Sequence, residues 1–163
     1  MSNSMQTIDM VNLINDLYSG FDWLADLYGM ERIRTEGNHC MAASGAPSPN
    51  DDHAMLASRM ALEIGKVTAK FNKRNNVNIH FRVGISSGSC RGGIIGRKQF
   101  MYYTWGTTVD EARTVQKYGE LDQVTVSAST FAEIQTKCAV GPLIDVHEAM
   151  VFKLESIREE FKQ

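Results

Sequence analysis

The stretch RVGISSGSCRGGIIGRKQFMYYTWGTTVDEA, residues 82–112, decides how the rest of the chain is read. Its glycines, Gly84, Gly88, Gly92, Gly93 and Gly96, suit a phosphate loop, because bare backbone amides approach an anion closely. They equally suit the turns and bulges of a hairpin. Spacing separates the two. A Walker-type loop needs G-x-x-x-x-G-K-[ST] between a strand and a helix, whereas the segment from Gly93 to Lys98 lacks that order and runs into strand-like sequence. No G-x-G-x-x-G opens a helix within a βαβ unit either. The stretch therefore predicts a strand, then a hairpin whose second arm, Phe100 to Trp105, pairs back across the glycines. Thr108 with Glu111 then makes a capping box for a helix reaching about Tyr118. Met101, Tyr102, Tyr103 and Trp105 load both faces of that arm with large side chains. Core packing accounts for one face and a partner chain for the other.

Working outward, residues 77–85 alternate Val77, Ile79, Phe81, Val83 and Ile85 with Asn78, His80, Arg82 and Gly84, which predicts a strand buried on its odd-numbered side. Upstream, Met55, Leu56, Met60, Ile64, Val67 and Phe71 recur at helical spacing behind an N-cap at Asn50 or Asp51, giving a helix to about residue 72. ERIRTEGNHCMAASG, residues 31–45, reads as strands near 30–35 and 40–44 around a tight Glu36-Gly37-Asn38-His39 turn. Val11, Ile14, Leu17, Phe21, Leu24 and Tyr28 place an apolar stripe on a long helix ended by Gly29. Downstream, QVTVS reads as a strand, ASTFAEIQ as a helix and CAVGPLIDVHEAMVFKLES as closing strands. The order α-β-β-α-β-β-α-β-α-β makes an α+β fold, with helices flanking a mostly antiparallel sheet. Residues 1–6, MSNSMQ, read as a polar tail or expression scar, and 7–163 as one domain.

Bulk composition narrows the function classes. With 43% hydrophobic and 22% charged residues and a net charge of −2, the chain is an ordinary soluble globule and no basic nucleic-acid binder. The short basic groups at Arg91, Arg97 and Lys98, and at Lys70, Lys73 and Arg74, read as solvated faces. No apolar run spans a membrane and no secretory leader is present, so a cytoplasmic location is expected, in a free-standing protein or as a cytoplasmic part of a larger signalling one. Cys40, Cys90 and Cys138 lack metal or disulfide spacing and read as reduced thiols. His39, His53, His80 and His147 form no ligand motif, and no G-x-S-x-G elbow or local nucleophilic triad occurs.

Two segments, residues 31–45 and 81–112, resemble the catalytic domain of class III nucleotide cyclases, the adenylyl and guanylyl cyclases. The first is similar to the family pattern E-K-I-K-T-I-G-D-x-Y-M. The second is similar to R-V-G-I-x-x-G-x-x-x-x-G-x-I-G followed by Y-D-x-W-G-x-T-V-N-x-A-x-R. The helix TIDMVNLINDLYSGFDWLADLYGM and the segment DQVTVSASTF also look like family counterparts, so the likeness extends over roughly residues 7–147. It implies a ferredoxin-like, βαββαβ-derived core working as a head-to-tail dimer with active sites between the chains. There ATP or GTP is cyclised with loss of pyrophosphate, the ribose 3′-oxygen attacking the α-phosphate with the help of two magnesium or manganese ions. Hard cations of that kind are held by carboxylates.

Carried over residue by residue, the resemblance places altered side chains where that chemistry occurs. The family's first metal aspartate lies on an opening strand, and this chain begins after that strand. Asn38 stands at the second metal aspartate. Arg34 and Tyr103 stand at the purine-selecting positions, which are Lys and Asp in adenylyl cyclases and Glu and Cys in guanylyl cyclases. Asp110 and Thr114 stand at the transition-state Asn and Arg. Arg113 is adjacent, but one residue of displacement turns a side chain about 100° around a helix. In heterodimeric cyclases one half lacks the metal aspartates yet supplies purine and transition-state groups, and MAASG, residues 41–45, resembles that half. The expectation is a cyclase-homology domain impaired in catalysis and kept for dimerisation or regulation, binding ATP or GTP weakly. It needs no cofactor alone, and takes Mg or Mn only where a partner supplies carboxylates. The alternatives are an active half-site partner or truncated adenylate cyclase, converting ATP to cyclic AMP and pyrophosphate with a partner chain that supplies the metal carboxylates, and a sheet scaffold with unused contact surfaces. Homodimers and heterodimers with another cyclase domain both fit.

Overall fold

The computed structural model of the chain describes residues 7–97, 101–146 and 149–162. Helix α1 (Thr7–Leu27) forms as predicted, but its stripe is shielded only from Leu17 onward, through Phe21, Leu24 and Tyr28, while Val11 and Ile14 are exposed. It ends in a Schellman turn: the Gly29 N–H donates to Asp26 O at 3.2 Å and the Met30 N–H to Ala25 O at 2.8 Å. The hairpin β1 (Glu31–Glu36) and β2 (His39–Ala43) comes next. Helix α2 (His53–Asn75) lies against α1 through Leu24, Ala25 and Met60, with Tyr28, Ile64 and Val67 packed round them.

The expected cap of α2 is displaced. Asp52 occupies the cap position and its side chain makes no cap bond. Asn50 shapes the preceding turn instead, its Oδ1 accepting from the Asp52 N–H at 2.9 Å and its carbonyl from the His53 N–H at 3.1 Å.

The strand expected over 77–85 is regular only as β3 (Arg82–Ile85). The alternation holds over the whole run, with Val77, Ile79, Phe81 and Val83 half-buried, Ile85 buried and Asn78, His80 and Arg82 exposed. Residues 77–81 find side-chain partners in place of a strand. The Asn72 amide donates to Ile79 O at 2.8 Å and accepts from the Ile79 N–H at 3.0 Å. Asp122 accepts from the Phe81 N–H, and its own N–H donates to Phe81 O at 2.8 Å. His80 Nδ1 lies 2.6 Å from Asp122 Oδ2, and that contact holds the Asp122 carboxyl below its ordinary range.

The hairpin of β4 (Arg91–Ile95) and β5 (Met101–Trp105) pairs antiparallel with Arg91 opposite Trp105, as the glycine-rich stretch predicts; Lys98, Gln99 and Phe100 lie outside the described residues. Helix α3 (Thr107–Tyr118), β6 (Gln123–Ser127), α4 (Ala128–Ile134), β7 (Cys138–Val146) and β8 (Ala149–Ile157) complete the order, followed by a single 3₁₀ turn, Glu159–Phe161. The principal sheet runs β3-β6-β8-β7, beside the separate β1-β2 and β4-β5 ribbons. Among the described residues only β3 with β6 is parallel; the other pairings are antiparallel, as expected.

The core lies between α2, α4 and the sheet. It is built from Met55, Ala61, Ile85, Val124, Val126, Ile134, Cys138 and Leu154. Phe131 stacks on Phe152 beside it at 4.2 Å between ring centroids. Cys138 is buried, whereas Cys40 and Cys90 are exposed, and all three are free thiols. No helix among the described residues is long and apolar enough to cross a membrane.

Among the described glycines the closest approach to another segment's backbone joins β3 to α3. A Cβ added at Gly84 would stand 2.3 Å from the Gln116 backbone nitrogen and 2.5 Å from the Ala112 carbonyl oxygen. Neither atom is a flexible side-chain end, so helix and strand must separate to admit a methyl group. Gly84→Ala is expected to destabilise the domain by about 1–3 kcal/mol, read as a lower midpoint in urea or thermal unfolding. An unchanged midpoint would contradict this packing.

Candidate active site

The two-residue loop Gly37-Asn38 closes the β1–β2 hairpin between the paired Glu36 and His39. Gly37 at φ +58 supplies the left-handed first position that such a turn requires. The Tyr18 hydroxyl on α1 donates to the Gly37 carbonyl at 3.0 Å and pins the tip. Burial, reinforced by the Cys40 thiol, raises the pKa of that phenol and keeps it a donor. Asn38 is therefore held at an exposed tip.

A bulge between Arg32 and Arg34 turns Ile33 inward, where it is 5% exposed. Arg34 and Glu36, two residues apart on a strand, then share one face. Arg34 Nη1 lies 3.2 Å from Glu36 Oε1, and the Arg34 guanidinium lies 6.0 Å from the centroid of the Tyr103 ring on β5. The structure thus brings the two sequence-predicted purine positions together and adds a carboxylate to them. Sequence reading counted Glu36 only as part of a turn. Its period-two relation to Arg34 was the available signal.

The β4–β5 glycines pack beneath aromatic rings. The Tyr102 hydroxyl covers Gly92 and the Trp105 ring covers Gly93, on opposite faces of the ribbon. These glycines therefore serve strand packing and do not form a phosphate cradle.

At the head of α3, Gly106 is the cap residue and its carbonyl accepts from the Val109 and Asp110 N–H groups at 3.0 and 3.3 Å. The predicted capping box does not form. The Thr108 hydroxyl donates to Ser89 O at 2.7 Å, and Glu111 accepts from the Ser86 hydroxyl. Both side chains fasten the helix to the β3–β4 turn, and that use of them excludes the local cap.

Asp110, Arg113 and Thr114 come together on the first turns of α3. Arg113 Nη1 lies 3.6 Å from Asp110 Oδ1, and the Thr114 hydroxyl donates to the Asp110 carbonyl at 3.1 Å. The Asp110 and Arg113 side chains are exposed. An anion in the first turn stabilises the helix through its dipole.

Among the described residues no three His, Cys, Asp or Glu side chains gather in a way that would hold a metal ion. Asn38, an exposed neutral amide, does not fit the role of a metal carboxylate. Concavities of about 570 and 530 Å³ lie elsewhere, the first lined by Gly65, Lys66, Phe81 and Asp122, the second by Asp26, Gly29 and Pro47.

Comparison with known proteins places this geometry. Residues 1–149 match the family described as the adenylate and guanylate cyclase catalytic domain. An adenylate cyclase of Mycobacterium tuberculosis (strain ATCC 25618 / H37Rv) is 29% identical over 134 residues, covering 82% of this chain and 30% of that protein. Human guanylyl cyclase C is 33% identical over 135 residues, covering 80% of this chain and 13% of that protein. The chain thus spans less than a third of either relative. The crystal structure of the non-canonical dimeric guanylyl cyclase domain of the RhoGC fusion protein from Blastocladiella emersonii superposes with a TM-score of 0.88 at 25% identity, covering 96% of this chain and 87% of that one. With its two cyclase-like segments folded into the matching architecture, this chain belongs to the adenylate and guanylate cyclase catalytic domain family.

Proposed function

We propose that the chain is a cyclase-homology domain of cytoplasmic cyclic-nucleotide signalling, impaired in its own chemistry and acting as a dimerisation or regulatory module. The supporting observation is the arrangement Asp110-Arg113-Thr114 at the head of α3. Cyclisation builds negative charge on the α-phosphate, which a positioned cation must meet. Thr114 brings a hydroxyl that turns back on its own helix, and the neighbouring Arg113 is drawn toward Asp110. Losing one such cation costs on the order of 10²–10³ in rate, and Asp110 adds repulsion. Asn38 brings no charge for a divalent ion.

Dimerisation is supported by the β4–β5 ribbon, where Ile94 and Ile95 are 70% and 54% exposed and Trp105 44%. Trp105 and Ile95 stand on one face of the ribbon and Ile94 on the other, so apolar surface is exposed on both sides of it, as a contact surface would be. The RhoGC domain similar to this chain is described as dimeric. The half-site reading has one observation in its favour, the approach of Arg34 to Tyr103.

Incubated with ATP or GTP and manganese, the chain alone is expected to yield no cyclic nucleotide. Mixed with a cyclase domain that carries intact metal aspartates, it is expected to leave that domain's rate no higher than before. Product from the chain alone would overturn the impaired reading, and a stimulated mixture would establish the half-site enzyme.

Sedimentation at micromolar concentration should show a dimer that Ile94→Asp with Ile95→Asp converts to monomer. A monomeric parent chain that also fails to bind any cyclase domain would exclude the dimerisation role.

A further inference from the structure

Helices α1 and α2 form one layer with an exposed outer side. Helix α1 lies on β1, α2 lies on β3, β6 and β8, and the two helices touch each other. They run in opposite directions, with Gly20 against Val67 and with Leu24 and Ala25 clustered about Met60. The first half of α1 therefore lies beside the second half of α2. Along α1, Asp9, Asp16 and Trp23 recur every seven residues and Leu27 follows one turn after Trp23, so the four share a line on the helix. All four are exposed, Trp23 at 61% and Leu27 at 56%. Along α2, Lys66, Lys70, Lys73 and Arg74 share a second line that is also exposed.

The two lines carry opposite charge. Helix α1 contains four aspartates and no basic residue, and α2 has no acidic residue after Glu63. Asp22 is engaged by Arg32 and Lys66 by Glu63, but Asp9, Asp16, Lys70, Lys73 and Arg74 make no ion pair among the described residues. The helix dipoles account for Asp9 in the first turn of α1 and for Lys73 and Arg74 in the last turn of α2. They leave Asp16, Lys70 and the exposed Trp23 unexplained. A two-fold axis running along the helix pair, in the plane of contact, sets α1 of each copy over α2 of the other at the same level. The acidic half then meets the basic half twice, and Trp23 and Leu27 are covered. An axis across the helices would set α1 on α1 and leave both charged halves without counter-charge.

We infer that the outer face of the α1–α2 layer is a second self-association surface, on which two copies of this chain pair about a two-fold axis, Asp9 and Asp16 of each facing Lys70, Lys73 and Arg74 of the other. This surface is separate from the β4–β5 ribbon and goes beyond the dimerisation supported there: a chain that uses both surfaces links dimers into larger assemblies. Exposed charges and two apolar side chains make a weak, salt-sensitive contact. It forms at concentrations above those at which the ribbon dimer is read.

The test uses the full chain carrying Ile94→Asp and Ile95→Asp, so that ribbon pairing is removed. Sedimentation at about 0.5 mM protein in ~20 mM salt is expected to show a dimer that dissociates in ~0.5 M salt, where the screening length falls to a few ångströms. Asp9→Lys with Asp16→Lys, and in a separate chain Lys70→Glu with Lys73→Glu and Arg74→Glu, should each weaken that association about tenfold or more. Mixing the two reversed chains should restore it, because every α1–α2 contact between them again joins opposite charges. A control chain with Asp51→Lys and Glu160→Lys, the same net change made elsewhere, should pair with the α2-reversed chain more weakly than the α1-reversed chain does. All these positions are exposed, and circular dichroism checks that each variant is folded. A chain that stays monomeric in low salt would overturn the inference, as would association that either reversal leaves unchanged. So would a mixture that fails to recover it, or a control chain that recovers it equally. A parent chain that is monomeric at micromolar concentration would contradict only the ribbon dimer, so the two readings fail separately.

Discussion

The absence of a side chain at Gly84 is the constraint from which the arrangement of this domain follows. With no Cβ on β3, the backbone of α3 at Ala112 and Gln116 comes into direct contact with the strand. Val115 is then fully buried between them, and the Thr125 hydroxyl on β6 reaches both Val83 O, at 3.0 Å, and Val115 O, at 3.2 Å. One residue-sized gap thus lets α3 close over the parallel β3–β6 pair, and a buried hydroxyl ties the three elements together. Close-packed interiors do not absorb even a methylene at such a point without displacement.

The position of α3 determines what its head can present. Thr108 and Glu111 reach across to Ser89 and Ser86, so the first turn is locked to the end of β3. Asp110 and Thr114, on the part of the helix not used for that anchoring, are placed by the frame whatever their chemistry. The same separation holds at the other ribbon. Tyr18 pins the tip that carries Asn38, and the Ile33 bulge sets Arg34 against Tyr103. Framework and reactive side chains are specified by different residues, which is why a cyclase fold can persist while the groups at its site change.

The elements with strong periodicity were legible in the sequence, because burial on one face is itself a periodic constraint. The α1 stripe from Leu17 to Tyr28, α2, the two hairpins and the odd-numbered burial of residues 77–85 follow directly from it. What was not legible depended on partners distant in sequence. Residues 77–81 satisfy their backbone through Asn72 and Asp122, so an alternating pattern there does not become a paired strand. Thr108 and Glu111 have the spacing of a local cap but bond 19 and 25 residues away. Position-by-position resemblance nominated Arg34, Tyr103, Asp110 and Thr114 as candidates. Glu36 emerged only when the strand register put it beside Arg34.

The central claim is that an intact frame carries altered reactive groups, and its most direct test restores those groups. The chain bearing Asp110→Asn and Thr114→Arg would be mixed with a cyclase domain that keeps its metal aspartates but lacks its own transition-state arginine, and cyclic nucleotide formation from ATP and GTP would be measured. The account predicts about 10²-fold more product than with the parent chain, the value of one positioned transition-state cation. A folded, partner-bound double variant that gives no gain would contradict it, because the frame itself would then be unfit for the reaction.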